Sequence, residues 1–257
     1  MKRVTAFVAS AHKRNTYKAV AQFLNNLQAH GEVDYEIVTL SDYKLGTCRG
    51  CRLCFEKGEE FCPLKDDRDV LFDMIKASDG VVFATPNYCF QMSGIMKVFL
   101  DRFGFAFHRP RYFGKAFTSI VCQGFGGGDK IIKDLDFAAS IMGFNTVKGT
   151  AVTGFDPKTE KAQQKADKNL EKLSKRFNSL LVKPANPEPT FFQLILFRIG
   201  RMAIKYESDP ASIDYKYFVD RGWLTSTYYY STRMNLLKRA SGSMLDSIAG
   251  TLRKMMA

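Results

Sequence analysis

The sequence predicts an α/β domain built on a parallel sheet, followed by a helical extension of different character. Three observations carry this expectation. Apolar runs and amphipathic stretches alternate about five times over residues 1–183. The run at 80–86, GVVFATP, is apolar at nearly every position, as a strand covered on both faces requires. Residues 184–257 lose the alternation and become aromatic-rich and basic.

Each element follows from its pattern. RVTAFVAS (3–10) is a β-forming run, and Ala19, Val20, Phe23, Leu24 and Leu27 after it recur at helical spacing. YEIVTL (35–40) is a second strand. DDRDVLFDMIKASDG (66–80) opens on acids and places Val70, Leu71, Met74 and Ile75 on one face, so it is a helix. Strand 80–86, helix 93–105, strand 116–123, helix 129–144, strand 146–152 and helix 157–181 complete the set. VKPANPEPT (182–190) has Pro184, Pro187 and Pro189 close together and reads as a linker. The expected division is a domain at 1–183 and an extension at 184–257.

Composition bounds the function. The 257 residues are 46% hydrophobic and 25% charged, an ordinary globular balance. No segment approaches the ~20 apolar residues of a membrane-spanning helix, and no signal-peptide pattern opens the chain, so a cytoplasmic protein is expected. The net charge is +12. Residues 1–184 carry 28 basic and 20 acidic groups, and 185–257 carry 10 and 6, so the excess is spread along the chain. It favours anionic partners in general, and no recognisable nucleic-acid motif accompanies it.

Ligands of open α/β sheets bind beyond the carboxyl ends of the strands, where strand order reverses. Three loops at such ends are unusual. SAHKRNTYK (10–18) offers Ser10, His12, Asn15 and Thr16 with the cations Lys13 and Arg14 beside a helix start, which suits a phosphate. It has no glycine, so it is neither a P-loop nor a dinucleotide fingerprint. TPNYCFQMSG (85–94) presents Pro86, Asn87 and Tyr88, an amide and an aromatic surface for a planar ring. QGFGGGD (123–129) carries Gly124, Gly126 and Gly127, which permit close backbone approach. Each loop alone is also what helix caps and surface turns look like. Their succession fits an FMN site.

TCRGCRLCFEKGEEFCPLKDD (47–67) spaces Cys48, Cys51, Cys54 and Cys62 as C-x2-C-x2-C-x7-C. Four thiolates on a tight loop suit a [4Fe–4S] cluster. Zinc and a metal-free redox pair are open alternatives, although zinc usually takes two separated knuckles. Arg49, Arg52, Lys57 and Lys65 would offset the negative charge of such a cluster. Cys89 and Cys122 are expected to be inert apolar residues beside strands.

Taken in order, Ser10, Asn15 and Thr16, the four cysteines, Asp66 and Asp67, TPNY and KVFLDR resemble the flavodoxin-like NAD(P)H-dependent FMN reductases, in particular their iron–sulfur flavoprotein branch. The resemblance covers roughly residues 1–180. It departs at His12 and Arg14, where Arg and a small residue are usual. It implies a flavodoxin-like doubly wound five-stranded parallel sheet. It also implies FMN as cofactor, NADH or NADPH as reductant, and a [4Fe–4S] cluster on Cys48, Cys51, Cys54 and Cys62.

The extension pairs apolar residues with Arg198, Arg201 and Lys205 in 190–207, and places Met234, Leu237, Met244, Leu245, Ile248, Leu252 and Met255 near one face in 231–257. Basic amphipathic helices lie on anionic membranes or dock on protein. Docking is the expectation, with peripheral membrane contact the alternative. The functional expectation is an oxidoreductase passing electrons from NAD(P)H through FMN to a quinone, a flavin, an iron–sulfur protein or a small electrophile, in a homo-oligomer. Its rivals are a non-enzymatic electron carrier and a membrane-recruited redox sensor.

Overall fold

The structure, a computed structural model, describes residues 1–154, 159–238 and 242. Strand β1 (Lys2–Val8) is followed by α1 (Asn15–Gln28) and β2 (Val33–Thr39). The cysteine segment holds one short helix, α2 (Leu53–Glu56). Next come α3 (Arg68–Ala77), β3 (Gly80–Tyr88), β4 (Gln91–Met92), α4 (Gly94–Arg102) and α5 (Gly104–His108). β5 (Ala116–Gln123), α6 (Gly128–Ile141), β6 (Asn145–Thr146), β7 (Thr150–Thr153) and α7 (Glu160–Leu181) close the first part. The extension contributes α8 (Phe191–Glu207) and α9 (Ile213–Asp220).

The sheet order is β2-β1-β3-β5-β6, with β7 taking up the pairing on the far side of β5 and β4 folding back on β3. β1 runs parallel to β2 from Lys2↔Val33 to Val8↔Thr39 and to β3 from Val4↔Gly80 to Val8↔Ala84. β3 and β5 are parallel from Gly80↔Ala116 to Pro86↔Cys122. This is the doubly wound order whose switch point lies between β1 and β3. The five strand positions expected from the sequence are present.

Period-two alternation sorts the side chains. Val4, Ala6 and Val8 join Val20, Phe23 and Leu24 of α1 and Leu170, Leu173 and Phe177 of α7 in one buried layer. Phe7 and Phe83 face the other way. Phe7 stacks on Phe99 of α4 at 5.3 Å, and Phe83 meets Phe117 edge-on at 5.0 Å. Each such ring, fully buried, contributes about 1.5–3 kcal/mol.

Two elements differ from the sequence expectation. The fifth strand position is split into β6 and β7, and between them, at Gly149, the chain passes so close to β5 that a Cβ would lie 2.3 Å from the Ser119 carbonyl oxygen. Asp136 secures that approach, accepting from Ser119 Oγ (2.9 Å) and from the Gly149 N–H (3.2 Å); burial raises its pKa. The helix expected at 93–105 breaks at Phe103 into α4 and α5. The start of the helix expected at 157 falls on residues outside the description, as does most of 231–257.

By contact density the chain forms two compact units. One comprises Met1–Arg49, Leu64–Gly104 and Arg111–Lys183. The other groups Gly50–Pro63 and Phe105–Pro110 with the extension. In the second unit, Trp223 and Phe218 are buried, Trp223 meets the ring of Tyr229 edge-on at 4.7 Å, and its indole N–H donates to the Tyr229 carbonyl at 2.9 Å. α8 turns Arg198 and Arg201 inward and leaves Ile195 and Ile199 exposed, the reverse of a solvated basic face. Arg201 Nη1 donates to the Ser226 carbonyl at 2.6 Å, so the guanidinium serves the interior of its own unit. No helix among the described residues is long and apolar enough to cross a membrane.

Candidate functional site

The loops after β1, β3, β5 and β7 all leave carboxyl ends of strands in the first unit. They enclose a cleft of about 340 Å³, within the roughly 300–1,000 Å³ of small-ligand sites. Its lining includes Ser10, His12, Asn15 and Thr16, then Pro86, Asn87 and Tyr88, and then Gly124.

The first wall is built to take an anion. α1 begins at Asn15 with no side chain capping it and no acid in its first turn. Its leading N–H groups and the positive end of its dipole are therefore not met by a side chain of their own turn. Arg14 lines the cleft at this point. Ser10 is buried and donates to the His12 carbonyl at 2.9 Å, which curls the loop in front of the helix end. Thr16 is buried against the same end.

The second wall comes from the β3–β4 hairpin. Ser93 caps α4, accepting from the Met96 N–H, and donates to the Ala9 carbonyl at 2.7 Å, which ties this hairpin to the end of β1. Asn87 Nδ2 donates to the Gly126 carbonyl at 2.8 Å, joining the hairpin to the glycine loop. Its Oδ1 is buried and has no partner. A buried acceptor left open in a cleft matches an N–H donor on a ligand ring. An uncapped helix start, an open amide acceptor and an aromatic side chain fit the phosphate and ring of FMN.

Gly126 and Gly127 do not line the cleft, but they shape its rim. Gly127 has φ of +89°, and a Cβ there would lie 2.8 Å from Phe90 Cδ1. Phe90 and Phe125, both exposed, meet edge-on at 5.7 Å across the two loops. The hairpin tip holds Cys89 and Phe90 at φ of +51° and +61°. Cys89 is thus exposed at a turn rather than packed beside a strand. Cys122, Gln123, Val152 and Gly154 also line the cleft and were not anticipated. Gln123 braces the glycine loop, accepting from the Gly128 N–H at 2.6 Å and donating to Thr153 Oγ1 at 2.9 Å. Its place as the last residue of a strand was the available signal.

The acidic pair of the sequence motif is structural. Asp66 is bound by both terminal guanidinium nitrogens of Arg102, with Nη2–Oδ1 at 3.0 Å, and accepts from the Gly46 N–H at 2.8 Å. Asp67 accepts from the Lys44 N–H at 2.7 Å. Together they anchor the entrance to the cysteine segment. Cys48 and Cys51 are exposed, on a stretch from Lys44 to Arg52 without regular structure, and Cys54 and Cys62 are half-buried. By type and number the thiols suit an iron–sulfur donor set. By placement they do not: among the described residues, no group of three or more His, Cys, Asp or Glu side chains is arranged to hold a metal ion.

An open doubly wound sheet with an anion-ready helix start and a ring-sized cleft at its switch point defines a mononucleotide-binding α/β protein. The chain belongs to the NADPH-dependent FMN reductase family, whose model matches residues 2–158. It is an NAD(P)H-dependent flavin oxidoreductase by that membership. It is similar to an iron-sulfur flavoprotein of Archaeoglobus fulgidus, 29% identical over 219 residues, covering 82% of this chain and 94% of the relative. An iron-sulfur flavoprotein of Clostridioides difficile is 29% identical over 197 residues, covering 74% and 83%. Among solved structures, an azoreductase of Bacillus anthracis shares the fold with a TM-score of 0.55 at 16% identity, covering 70% of this chain and 100% of that one.

Proposed function

We propose that the cleft holds FMN, with its phosphate at the start of α1 and its ring between Asn87, Tyr88 and the glycine loop. Bound FMN supplies the redox chemistry, accepting hydride from NADH or NADPH and delivering electrons to an acceptor. The residues of the chain bind and orient. Ser10, His12, Asn15 and Thr16, with Arg14, meet the phosphate. Pro86 and Asn87 fix one edge of the ring, and Asn87 Oδ1 accepts from a ring N–H. Gly124, Gly126 and Gly127 let the backbone close the other edge. The observation that carries this reading is the unpartnered Asn87 Oδ1 beside an uncapped helix start in one cleft.

The acceptor is a quinone, a free flavin, an iron–sulfur protein or a small electrophile. The cysteine spacing and the likeness to iron-sulfur flavoproteins support a finer reading, in which Cys48, Cys51, Cys54 and Cys62 supply the thiolates of a [4Fe–4S] cluster once their loop closes. The same reading includes a cytoplasmic homo-oligomer with a flavodoxin-like FMN-binding domain at 1–183. The basic extension at 184–257 supports peripheral contact with an anionic membrane as the alternative to protein docking.

The test is direct. Heat-released cofactor is separated by chromatography, and NADH and NADPH oxidation is followed with a quinone or ferricyanide. FMN with catalytic turnover is the expected result. Protein that stays colourless after FMN titration overturns the assignment of the cleft. Bound FMN without turnover favours an electron carrier.

A further inference from the structure

The second unit contains a buried charge cluster that the flavin chemistry does not use. Arg109, which follows α5, is 1% exposed. Its guanidinium binds Asp214 in the first turn of α9, Glu59 at 2.7 Å and the Cys54 carbonyl at 2.8 Å. His108 Nδ1 lies 2.8 Å from the other oxygen of Asp214. The His108 ring stacks on Phe55 at 4.1 Å, with an interplanar angle of 14°. Asp214 is itself buried, and Ser212 caps its helix by accepting from the Tyr215 N–H at 3.2 Å. One carboxylate of the extension thus holds two consecutive side chains, and those two hold residues 54–59 by a carbonyl, a carboxylate and a ring.

We propose that the extension is the positioning element of the cysteine loop. Asp214, acting through Arg109 and His108, fixes the half of the loop that carries Cys54 and Cys62. Cys48 and Cys51 sit on the exposed half, where no such clasp is found among the described residues. The division has a physical consequence. Bringing four thiols together costs the ordering of whatever is not already fixed. With one half preset and Gly46 already anchored by Asp66 and Arg102, only residues 47–52 have to be ordered. This consequence rests on reading the four thiols as one donor set; the clasp itself does not.

The clasp is tested by site-resolved alkylation of the reduced, metal-free full-length protein with iodoacetamide, read by peptide mass spectrometry. In Asp214→Ala the rates at Cys54 and Cys62 are expected to rise at least ~3-fold, because protection of half-buried thiols follows local opening. Cys89, in the other unit, is the internal control, and its rate and the FMN content stay as in the unaltered chain. His108→Ala removes the Phe55 stack from a half-exposed position and should raise the Cys54 rate in the same direction. It decides the matter if Asp214→Ala fails to fold. Unchanged rates at Cys54 and Cys62, or a uniform rise that includes Cys89, overturn the proposal. Anaerobic iron–sulfide reconstitution separates the two readings. Reduced iron uptake in Asp214→Ala, to roughly half or less, extends the clasp to cluster assembly. An unaltered chain that takes up no iron ends the cluster reading, and the alkylation rates still decide the clasp.

Discussion

Arg102 and Asp66, 36 residues apart in sequence, form a two-toothed ion pair in which the arginine side chain is 2% exposed and the aspartate 11%. Arg102 also donates to the Gly46 carbonyl at 3.0 Å, so one guanidinium ties α4 to the entrance of the cysteine segment.

This pair makes stability acid-sensitive in a defined direction. Burial pushes the Asp66 pKa up, but the Arg102 hydrogen bond and the N–H groups of Gly46 and Arg68 outweigh it and hold the carboxyl below its ordinary value. A depressed carboxyl contributes stability that is present above its unfolded pKa of about 4 and lost as pH falls through the folded value. Asp66→Asn should cost about 3 kcal/mol at neutral pH, because it strands a buried arginine. The gap to the unaltered protein should narrow as pH falls below about 4, because Asp66 is protonated in the unfolded chain before it is in the folded one. Urea midpoints measured at pH 7 and pH 3 check both statements. An equal gap at the two pH values refutes the assignment.

Asn87 spans the two walls of the cleft, donating to Gly126 with one atom and leaving the other open. Asn87→Ala removes the strut and the acceptor together. FMN affinity should fall by about 1–2 kcal/mol, roughly 5–30-fold in Kd. Fluorescence titration of the apoprotein measures this, and an unchanged Kd separates Asn87 from the ring.

Gly127 meets two constraints, a positive φ and the nearby ring of Phe90. Gly127→Ala should destabilise by about 1–2 kcal/mol from the backbone alone. The added crowding of Phe90 should then appear as a coupling in a double-mutant cycle with Phe90→Ala. Because the Phe90 ring is exposed and free to swing, the coupling should be the smaller part. A penalty that disappears entirely with Phe90→Ala would assign the need for glycine to the ring and not to the backbone.

Much of this was legible in the sequence because it depends on local periodicity. β1 alternates with period two, so Val4, Ala6 and Val8 had to share one face and Phe7 the other. The apolar run of β3 demanded cover on both sides, and α1 and α7 carried the helical stripes to supply part of it. The strand-end loops followed from the same alternation. Ser10, His12, Asn15, Thr16, Pro86, Asn87, Tyr88 and Gly124 now line one cleft.

What periodicity does not contain is the pairing of distant polar groups. Asp66 and Arg102 belonged to separate motifs, and Arg109 and Asp214 to no motif, yet each pair shares a buried ion bridge. A buried charge tolerates its environment only when a partner is brought to it, and that partner is chosen by packing, not by spacing along the chain. For the same reason α8 reads as a basic amphipathic helix but turns Arg198 and Arg201 inward, where the carbonyl of Ser226 and the ring of Phe197 receive Arg201. The sequence by itself determined the sheet, its layers and the loops that form the cleft, because those depend on which residues are apolar and at what period. Only the tertiary structure decided which charges are buried and what the extension holds, because those depend on contacts between segments far apart in the chain, 105 residues for Arg109 and Asp214 and 106 for His108 and Asp214.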